Sequence, residues 1–373
     1  MRVGIVIDLW EPTRGGAERA LAKLIGHLVR AGHEAHVFAL RIDIGAPGVP
    51  HVVERPRSLR GAMERTFGRR AVAAAHEAGC DVTLGIRHLE EIDVYWPHGG
   101  LHSATLAAGE HARGGVGGGL SRALHRVSLK HRAFLRLEKT LLGDGGARAV
   151  WCVSPMIRDE IAAAFPGAAP RLEVHPNGVD LAAFHPGLRD ERRDAFLRRH
   201  LIDSASAVVV FPGGNWGLKG WDLLWQALPS AQGPWMLVAA GRGSEFVTTP
   251  RGVRERVVLL PRQDPRDLWA VADLCVQPTW RDPCSLATLE ALASGVPVVT
   301  TAANGASDAV MASGVGAVVP TGDAPALAAA ITAAVARRGP EARRAARDAV
   351  ADRPETAWLD GLVASLERVA AAR

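Results

Sequence analysis

The chain has 373 residues, of which 48% are hydrophobic and 22% charged, and its formal net charge is +5. This length and composition indicate a globular protein with two ordinary domains. No apolar run reaches the roughly 18 uncharged residues of a membrane-spanning helix, and the chain enters a strand-like run at Val3 without a signal-peptide pattern. Four scattered cysteines lack metal-ligand or CxxC spacing, which favours buried, reduced thiols in a cytoplasmic protein.

Apolar periodicity in the first half predicts a strand–helix–strand start. The face expected to pack on a sheet consists of residues at helical spacing, namely Leu21, Leu24, Ile25, Leu28 and Val29. The elements predicted in this half are a helix at 16–31 and strands at 2–8, 34–40, 82–86, 93–96, 149–153 and 172–175.

The alternation of strands and helices restarts near residue 207. The elements predicted there are helices at 221–228, 265–272 and 286–294, and strands at 208–211, 236–240, 257–260, 274–277 and 296–300. Such alternation specifies a parallel sheet covered by helices. Because it occurs twice, the sequence predicts an α/β protein with two Rossmann-like domains, at 1–185 and 186–354, joined through a polar, Arg-rich stretch at 181–206.

Two carboxylates eight residues apart flank the start of the helix predicted at 286–294. Asp282 lies in the loop before this helix, and Glu290 lies about one turn inside it. Both acids can therefore meet one small ligand at the helix N-terminus, where free backbone N–H groups favour anionic or hydroxyl-rich ligands. The simpler interpretation is a helix with two solvated acids near its start, which the macrodipole alone favours.

The segment from Asp282 to Thr301 closely resembles the acid-x7-Glu signature of retaining glycosyltransferases of the GT-B fold and family-4 type, such as lipopolysaccharide-core glucosyltransferases and related group 1 enzymes. The resemblance extends over nearly the whole chain. It implies two Rossmann-like domains with a cleft between them, and a last helix, at 355–373, that packs back on the N-terminal domain. It also implies transfer of a hexose from a nucleotide sugar, expected to be a UDP-sugar, to a glycolipid or glycan acceptor.

The residues of this signature take their expected roles from the resemblance. Asp282 would hold the donor sugar, and the backbone amides of Ser285 and Leu286 would meet the phosphate at the helix start. Thr288 would cap the helix or contact the phosphate, and Glu290 would hold the nucleotide ribose. Asp282 stands where the family more often has Glu, which shortens the reach of the carboxylate by one methylene.

A glycine-rich loop ahead of Lys219 is expected to face the donor diphosphate. Lys219 can reach a diphosphate whose negative charge grows as the sugar leaves. The family pairs this lysine with an arginine, but the adjacent residue here is Leu218, so Arg242 or Arg281 would have to supply the second cation.

Two further donor contacts are implied by the resemblance. Asn215 lies in the same glycine-rich loop as Lys219. Gln263 follows the strand predicted at 257–260, where relatives read the base edge with main-chain atoms.

The first half contributes Gly15, Gly16 and His98. Gly15 and Gly16 open the first helix, where glycine lets a ligand approach the backbone closely; a mere tight turn is the alternative. No G-x-G-x-x-G fingerprint is present, which argues against a dehydrogenase. Related mannosyltransferases place a histidine at the position of His98, where it contacts the sugar in the cleft, although a lone histidine is otherwise structural or solvated.

Three other functional classes are alternatives to a transferase. An epimerase would need acid and base residues on both sides of the sugar, and no such arrangement is evident. A glycan phosphorylase would need a pyridoxal-linked lysine and a longer chain. A non-catalytic nucleotide-sugar-binding subunit stays open because of the missing arginine. We expect no cofactor, no metal ion and no nucleic-acid partner, since cationic side chains and helix N-termini can bind the diphosphate.

The segment 113–139 is strongly basic. It contains seven Arg or Lys residues and one acid, Glu138. The basic residues Arg122, Arg126 and Lys130 are spaced by four, and apolar residues recur beside them at Leu120, Leu124, Val127, Phe134 and Leu137. An interfacial helix that binds anionic lipid at the inner face of the plasma membrane has this pattern, and so does a solvated charged face over a core-packed helix.

Overall fold

The structure is a computed structural model that describes residues 1–56, 63–114, 118–119, 125, 128–249 and 252–372. The chain forms two compact units. Unit 1 comprises Met1–Glu110, Gly115–Pro176 and Thr356–Arg373, and unit 2 comprises His111–Gly114 and Asn177–Glu355. The last helix of the chain therefore shares its unit with the N-terminal half.

Unit 1 is built on a seven-stranded parallel sheet. The strands of this unit, including two outside that sheet, are β1 (Arg2–Val6), β2 (Leu9–Trp10), β3 (Glu34–Ala39), β4 (Arg41–Ile42), β5 (Val49–Val52), β6 (Val82–Gly85), β7 (Val94–Tyr95), β8 (Ala149–Cys152) and β9 (Leu172–Val174). The order across the sheet is β5-β3-β1-β6-β7-β8-β9, and β2 pairs separately with β4. Strand β1 is central, with Val3 beside Ala35 on one side and Val82 on the other.

The helices of this half are α1 (Gly16–Arg30), α2 (Met63–Glu77), α3 (His102–Arg113), α4 (Leu129–Leu142), α5 (Pro155–Ala164) and the last helix of the chain, α13 (Glu355–Ala371). The last residues of α3, from His111 on, belong to unit 2. The predicted apolar face of α1 is buried at Leu21, Leu24, Ile25 and Leu28. The prediction that Val29 belongs to this face is wrong. Val29 lies at the margin of the apolar face of α1, and its side chain is 57% exposed.

Unit 2 contains a second parallel sheet. Its strands are β10 (Ala207–Pro212), β11 (Trp235–Ala240), β12 (Val257–Leu260), β13 (Leu274–Gln277), β14 (Val298–Thr301) and β15 (Ala317–Val319). Its helices are α6 (Leu188–His200), α7 (Trp221–Ala227), α8 (Pro265–Val271), α9 (Leu286–Ala293), α10 (Ser307–Ser313), α11 (Ala324–Ala336) and α12 (Pro340–Asp348). Short 3-10 segments occur in the described chain at Pro166–Arg171, Leu228–Ser230, Ser244–Phe246 and Arg254–Arg256.

The sheet of unit 2 has the order β12-β11-β10-β13-β14-β15. The chain therefore runs outward in one direction from β10 through β11 and β12, and in the other direction from β13 onward. Strands β10 and β13 are neighbours at this switch point, and in open α/β sheets a crevice lies outside the carboxyl ends of such strands. Ligand sites in open α/β sheets lie at such a point.

Strand β14 begins two residues later than predicted. Gly295 has a φ of +74°, and Val296 donates its N–H to the carbonyl of Ala291, 2.8 Å away, so Val296 caps α9. Pro297 has no N–H to donate to a ladder, and the strand starts at Val298. The predicted limits of β12 and β13, in contrast, are confirmed.

A buried hydrogen-bond chain fastens α13 to the sheet of unit 1. The indole Nε1 of Trp151 donates to Ser365 Oγ at 2.8 Å, and this hydroxyl donates to Glu173 Oε2 at 2.7 Å. Burial by itself would raise the pKa of Glu173, but hydrogen bonds from His175, Arg368 and Ser365 lower that pKa to about 2. The carboxylate is therefore ionised in the folded protein at neutral pH.

Replacing Ser365 by Ala is expected to lower the free energy of unfolding by about 1–3 kcal/mol, because it leaves the buried Trp151 indole without an acceptor. Urea unfolding measures the change. The control is Ala364→Ser, the reverse exchange at the neighbouring exposed position of α13, which should change stability by less than about 0.5 kcal/mol. Equal stability of Ser365→Ala and the unmodified protein would contradict the role given to this hydroxyl.

Candidate functional site

The loops that follow β10 and β13 are joined at the crevice of unit 2. The carbonyl of Leu218 accepts hydrogen bonds from Thr279 Oγ1 at 2.9 Å and from the N–H of Trp280 at 2.8 Å. Gly220 has a φ of +82°, and a Cβ at this position would collide with the carbonyl of Pro278. Glycine is therefore required at 220 for the two loops to meet.

This junction brings Lys219 and Asp282 together. Nζ of Lys219 forms an ion pair with Oδ2 of Asp282, and Nε2 of Gln277 donates to the same oxygen at 3.2 Å. The backbone of Asp282 is also held, since its N–H donates to the carbonyl of Ala303 at 2.9 Å and its carbonyl accepts from Gly305 at 2.8 Å. The two residues predicted to act on the donor are thus neighbours in the folded chain.

A buried polar network positions Asp282 and the start of α9. Oε1 of Gln277 accepts from Ser285 Oγ at 2.7 Å and from Thr288 Oγ1 at 2.9 Å. Nδ2 of Asn304 lies 3.0 Å from the hydroxyl oxygens of both Thr288 and Thr300. Because Gln277 accepts through one atom and donates to Asp282 through the other, only one orientation of its amide satisfies all three bonds.

Sequence reasoning missed Gln277 and Asn304. The available signal was a polar residue at the end of each of two otherwise apolar segments, since Gln277 is the last residue of β13 and Asn304 follows β14. Carboxyl ends of neighbouring parallel strands meet at one edge of a sheet, which is where these two residues lie.

The N-terminus of α9 is only partly available to a ligand. Ser285 is the N-cap, and its hydroxyl accepts from the N–H of Thr288 at 3.3 Å. The N–H of Ser285, which was expected to meet a phosphate, instead donates to Asn304 Oδ1 at 3.4 Å. Leu286 and Ala287, which follow the cap, have no intrahelical acceptor by virtue of helical geometry.

Glu290 lies on the same helix, beside α8. The indole Nε1 of the buried Trp269 is 3.5 Å from Glu290 Oε2. Gln263 lies just before α8, and its side chain donates to the carbonyl of Pro261 at 3.1 Å. The half-buried side chain of Gln263 is thus turned to its own loop, as a site that uses main-chain atoms allows.

Asn215 and Arg242 lie on adjacent loops of unit 2. Both side chains are exposed. The indole Nε1 of Trp216 donates to the carbonyl of Arg242 at 2.8 Å, which ties the loop after β10 to the loop after β11. Arg281, the other arginine considered as a second cation, is only 8% exposed.

In unit 1, an arginine that the sequence analysis did not select bridges two acids. Arg87 Nε donates to Asp8 Oδ1 at 3.1 Å, and its NH2 donates to Glu18 Oε1 at 2.7 Å. Gly15 has extended backbone, and a Cβ there would lie 2.9 Å from Glu18 Oε2. Gly15 therefore makes room for a carboxylate of its own chain, and Gly16 is the first residue of α1.

His98 follows β7 and packs on Trp96, with 4.0 Å between the ring centroids. Its Nε2 is buried and has no hydrogen-bond partner among the described residues. Burial, with a smaller effect of Arg87, lowers the pKa of His98 to about 3. The imidazole is consequently neutral near pH 7.

Most residues of the predicted basic face and of the apolar face beside it lie outside the described residues. They are the basic residues Arg122 and Arg126 and the apolar residues Leu120, Leu124 and Val127. In α4, Lys130 Nζ is 5.5 Å from the centroid of the Phe134 ring, and Leu137 is buried within unit 1. Leu137 is thus a core residue. Within the described ranges, no helix is long and apolar enough to cross a membrane.

The described residues contain no group of three or more His, Cys, Asp or Glu side chains arranged to hold a metal ion. The four cysteines of the chain, Cys80, Cys152, Cys275 and Cys284, are all buried. Burial raises the pKa of Cys284, next to the candidate site, to about 12, so this thiol is protonated at neutral pH.

Two family models match the chain. One, described as "Glycosyl transferases group 1", matches residues 206–337. The other, described as "Glycosyltransferase Family 4", matches residues 14–183. The chain belongs to the group 1, family-4 glycosyltransferases. Lys219, Asp282 and Glu290 all lie within the group 1 match.

Solved structures of other proteins have the same fold. The crystal structure of WaaG, a glycosyltransferase involved in lipopolysaccharide biosynthesis, has a TM-score of 0.79 and 18% identity, and the match covers 98% of this chain and 99% of that one. HepE of Anabaena in complex with UDP and glucose has a TM-score of 0.67 and 19% identity, with 98% of each chain covered. These likenesses show the GT-B fold with its two Rossmann-like halves.

Curated glycosyltransferases are similar in sequence to parts of this chain. The D-inositol 3-phosphate glycosyltransferase of Mycolicibacterium smegmatis is 31% identical over 207 residues, which is 52% of this chain and 46% of the relative. The lipopolysaccharide glucosyltransferase WaaG of Escherichia coli K12 is 21% identical over 302 residues, 78% of each chain. The chain thus spans less than half the length of the inositol 3-phosphate enzyme.

The junction of the two loops can be tested at Gly220. Gly220→Ala should lower the free energy of unfolding by about 1–3 kcal/mol, because its positive φ and the Pro278 carbonyl both oppose a side chain. Gly217→Ala is the matched control, since a Cβ at Gly217 meets nothing within 4 Å. Urea unfolding of both variants gives the comparison. Equal destabilisation by the two changes would contradict this account of the junction.

Proposed function

We propose that the chain is a retaining glycosyltransferase that moves a hexose from a UDP-sugar to a glycolipid or glycan acceptor without a metal ion. The observation that carries the proposal is the Lys219–Asp282 ion pair at the start of α9, with Glu290 farther along the same helix. Retention of the anomeric configuration is inferred from the resemblance of the Asp282–Glu290 segment to the retaining signature.

The spacing along α9 suits one nucleotide diphosphate. Glu290 lies four residues after Leu286, which corresponds to about 6 Å along the helix axis. A diphosphate oxygen at the N–H groups of Leu286 and Ala287 would benefit from the helix dipole. Glu290 would then bind the ribose hydroxyls, and the loop at Gln263 would lie at the base.

Lys219 would act on the leaving group. Its ammonium forms an ion pair with Asp282. On donor binding, the ammonium would contact the diphosphate, which gains negative charge as the glycosidic bond breaks, so the interaction is strongest in the transition state. Lys219 and Gln277 both contact Oδ2 of Asp282, and we therefore assign Oδ1 to a hydroxyl of the transferred sugar.

Arg242 is our choice for the second cation on the diphosphate. Its side chain is exposed, and its loop is held beside the Lys219 loop through Trp216. Arg281 is less suitable because its side chain is buried. No metal ion is then needed, since two cations and a helix N-terminus face the diphosphate.

The acceptor class is proposed from the relatives and from unit 1. The relatives' names refer to inositol 3-phosphate and to lipopolysaccharide. In unit 1, neutral His98 can donate or accept a hydrogen bond to a sugar hydroxyl. We propose that the basic segment 113–139 brings the protein to the anionic lipid surface in which a glycolipid acceptor is embedded.

Incubation with UDP-sugars in the presence of EDTA tests this function. We expect slow UDP release even without acceptor. Interconversion of UDP-sugars would instead identify an epimerase, and binding without turnover a non-catalytic subunit. Activity that disappears with EDTA and returns with Mg²⁺ or Mn²⁺ would contradict the metal-independent mechanism.

The same assay assigns the residues. Lys219→Ala should lower kcat by about 10²–10³, because it removes a preorganised charge from the transition state.

Glu290→Gln should weaken UDP binding at least about tenfold through loss of a charge-assisted hydrogen bond. Glu255→Gln, an exposed exchange in the same unit, is the matched control. Unchanged UDP affinity in Glu290→Gln would refute the ribose assignment.

A further inference from the structure

Unit 2 contains a second charged cavity, away from the candidate donor site. Its volume is about 350 Å³, and it is lined by Arg189, Asp273, Pro297, Arg338, Gly339, Pro340, Ala342 and Arg343. Asp273 and Pro297 come just before β13 and β14, respectively. This arginine cavity therefore lies at the amino ends of the parallel strands, whereas Lys219 and Asp282 lie at their carboxyl ends.

Among the described residues of the lining, Asp273 is the only carboxylate, and it is already shared. Asp273 pairs with Arg189 at 2.9 Å and with the adjacent Arg193 at 3.1 Å, and its Oδ2 also accepts from the N–H of Val208 at 2.9 Å. Arg338 and Arg343 add two further positive charges to the lining. The cavity consequently has an excess of positive charge even though Asp190 also acts on Arg343.

The guanidinium group of Arg343 is incompletely hydrogen-bonded. Its NH2 is 3.4 Å from the carbonyl of Ser294, while its buried NH1 has no hydrogen-bond partner among the described residues. Burial first, and then the like charge of Arg189, lower the pKa of Arg343 to about 10. A bound anion would accept from NH1 and offset both effects.

Helix α12 adds to the attraction. It is nine residues long and begins at Pro340, in the lining of the cavity. Its N-cap, Gly339, has no side chain to accept from the first-turn N–H groups. The positive end of the helix dipole thus faces the same space as the half-buried side chain of Arg343.

We propose that the arginine cavity binds a small phosphate-bearing anion, such as a diphosphate or a sugar phosphate. Guanidinium groups bind phosphate oxygens through two parallel hydrogen bonds, and the volume exceeds the needs of a single phosphate group. This site is separate from the donor site and does not depend on the proposed transferase activity.

Inorganic diphosphate is the probe, and calorimetric titration is the measurement. Because diphosphate could also bind beside Lys219, every titration uses the whole 373-residue chain with Lys219→Ala. Adding Arg343→Gln or Arg338→Gln should weaken binding at least about tenfold, the equivalent of one charge-assisted hydrogen bond. Arg338 is exposed, so its replacement tests the site even if Arg343→Gln fails to fold.

Arg337→Gln, in the same Lys219→Ala background, is the matched control. Arg337 is the exposed neighbour of Arg338 and is not among the lining residues. Its replacement should leave affinity within about twofold, since an exposed charge outside the lining donates no hydrogen bond to the anion and is screened by salt. Three results would overturn the proposal: no binding in the Lys219→Ala chain, unchanged affinity after Arg338→Gln, or equal weakening by Arg337→Gln.

Discussion

The side-chain amide of Gln277 is the interaction on which the candidate site depends. It is fully buried at the end of β13, where an unpaired amide would cost about 1–3 kcal/mol per group. Its nitrogen holds Asp282, and its oxygen accepts from the hydroxyls of Ser285 and Thr288. One side chain thereby fixes the first acid, the N-cap of α9 and, through the ion pair, Lys219. A buried polar network of this kind leaves little freedom for any of its members.

At both ends of the strands in the unit 2 sheet, a carboxylate forms ion pairs with nearby cations. At the carboxyl ends of the strands, Asp282 pairs with Lys219, and at their amino ends, Asp273 is shared by Arg189 and Arg193. In each case a helix N-terminus lies nearby, at α9 and at α12, respectively. Cations held by an internal acid are oriented before a ligand arrives, which lowers the entropy lost when they bind an anion.

The fold could be predicted from the sequence because strongly apolar runs of this length are compatible with few structures other than buried strands. The limits of β12 and β13 were predicted correctly from runs of Val, Leu and Cys. Errors occurred where tertiary contacts decide, as at Val296, whose N–H caps α9 instead of joining β14. Short strands such as β2 and β4 were missed because two residues carry no periodicity.

The candidate site was predicted less completely. Motif resemblance selected Asp282, Glu290 and Lys219 but could not show the residues that position them, because Gln277 and Asn304 come from two different strand ends. The N–H of Ser285 was assigned to a ligand, yet it donates to Asn304, a residue 19 positions away. Such long-range hydrogen bonds have no signature in local sequence.

The central claim is that the carboxyl edge of the unit 2 sheet holds the diphosphate and ribose of a UDP-sugar. A crystal structure of the protein soaked with UDP tests it most directly. The account predicts diphosphate oxygens within hydrogen-bonding distance of Lys219 Nζ and of the first N–H groups of α9, with the ribose hydroxyls on Glu290. UDP bound elsewhere, or bound here with its ribose away from Glu290, would contradict it.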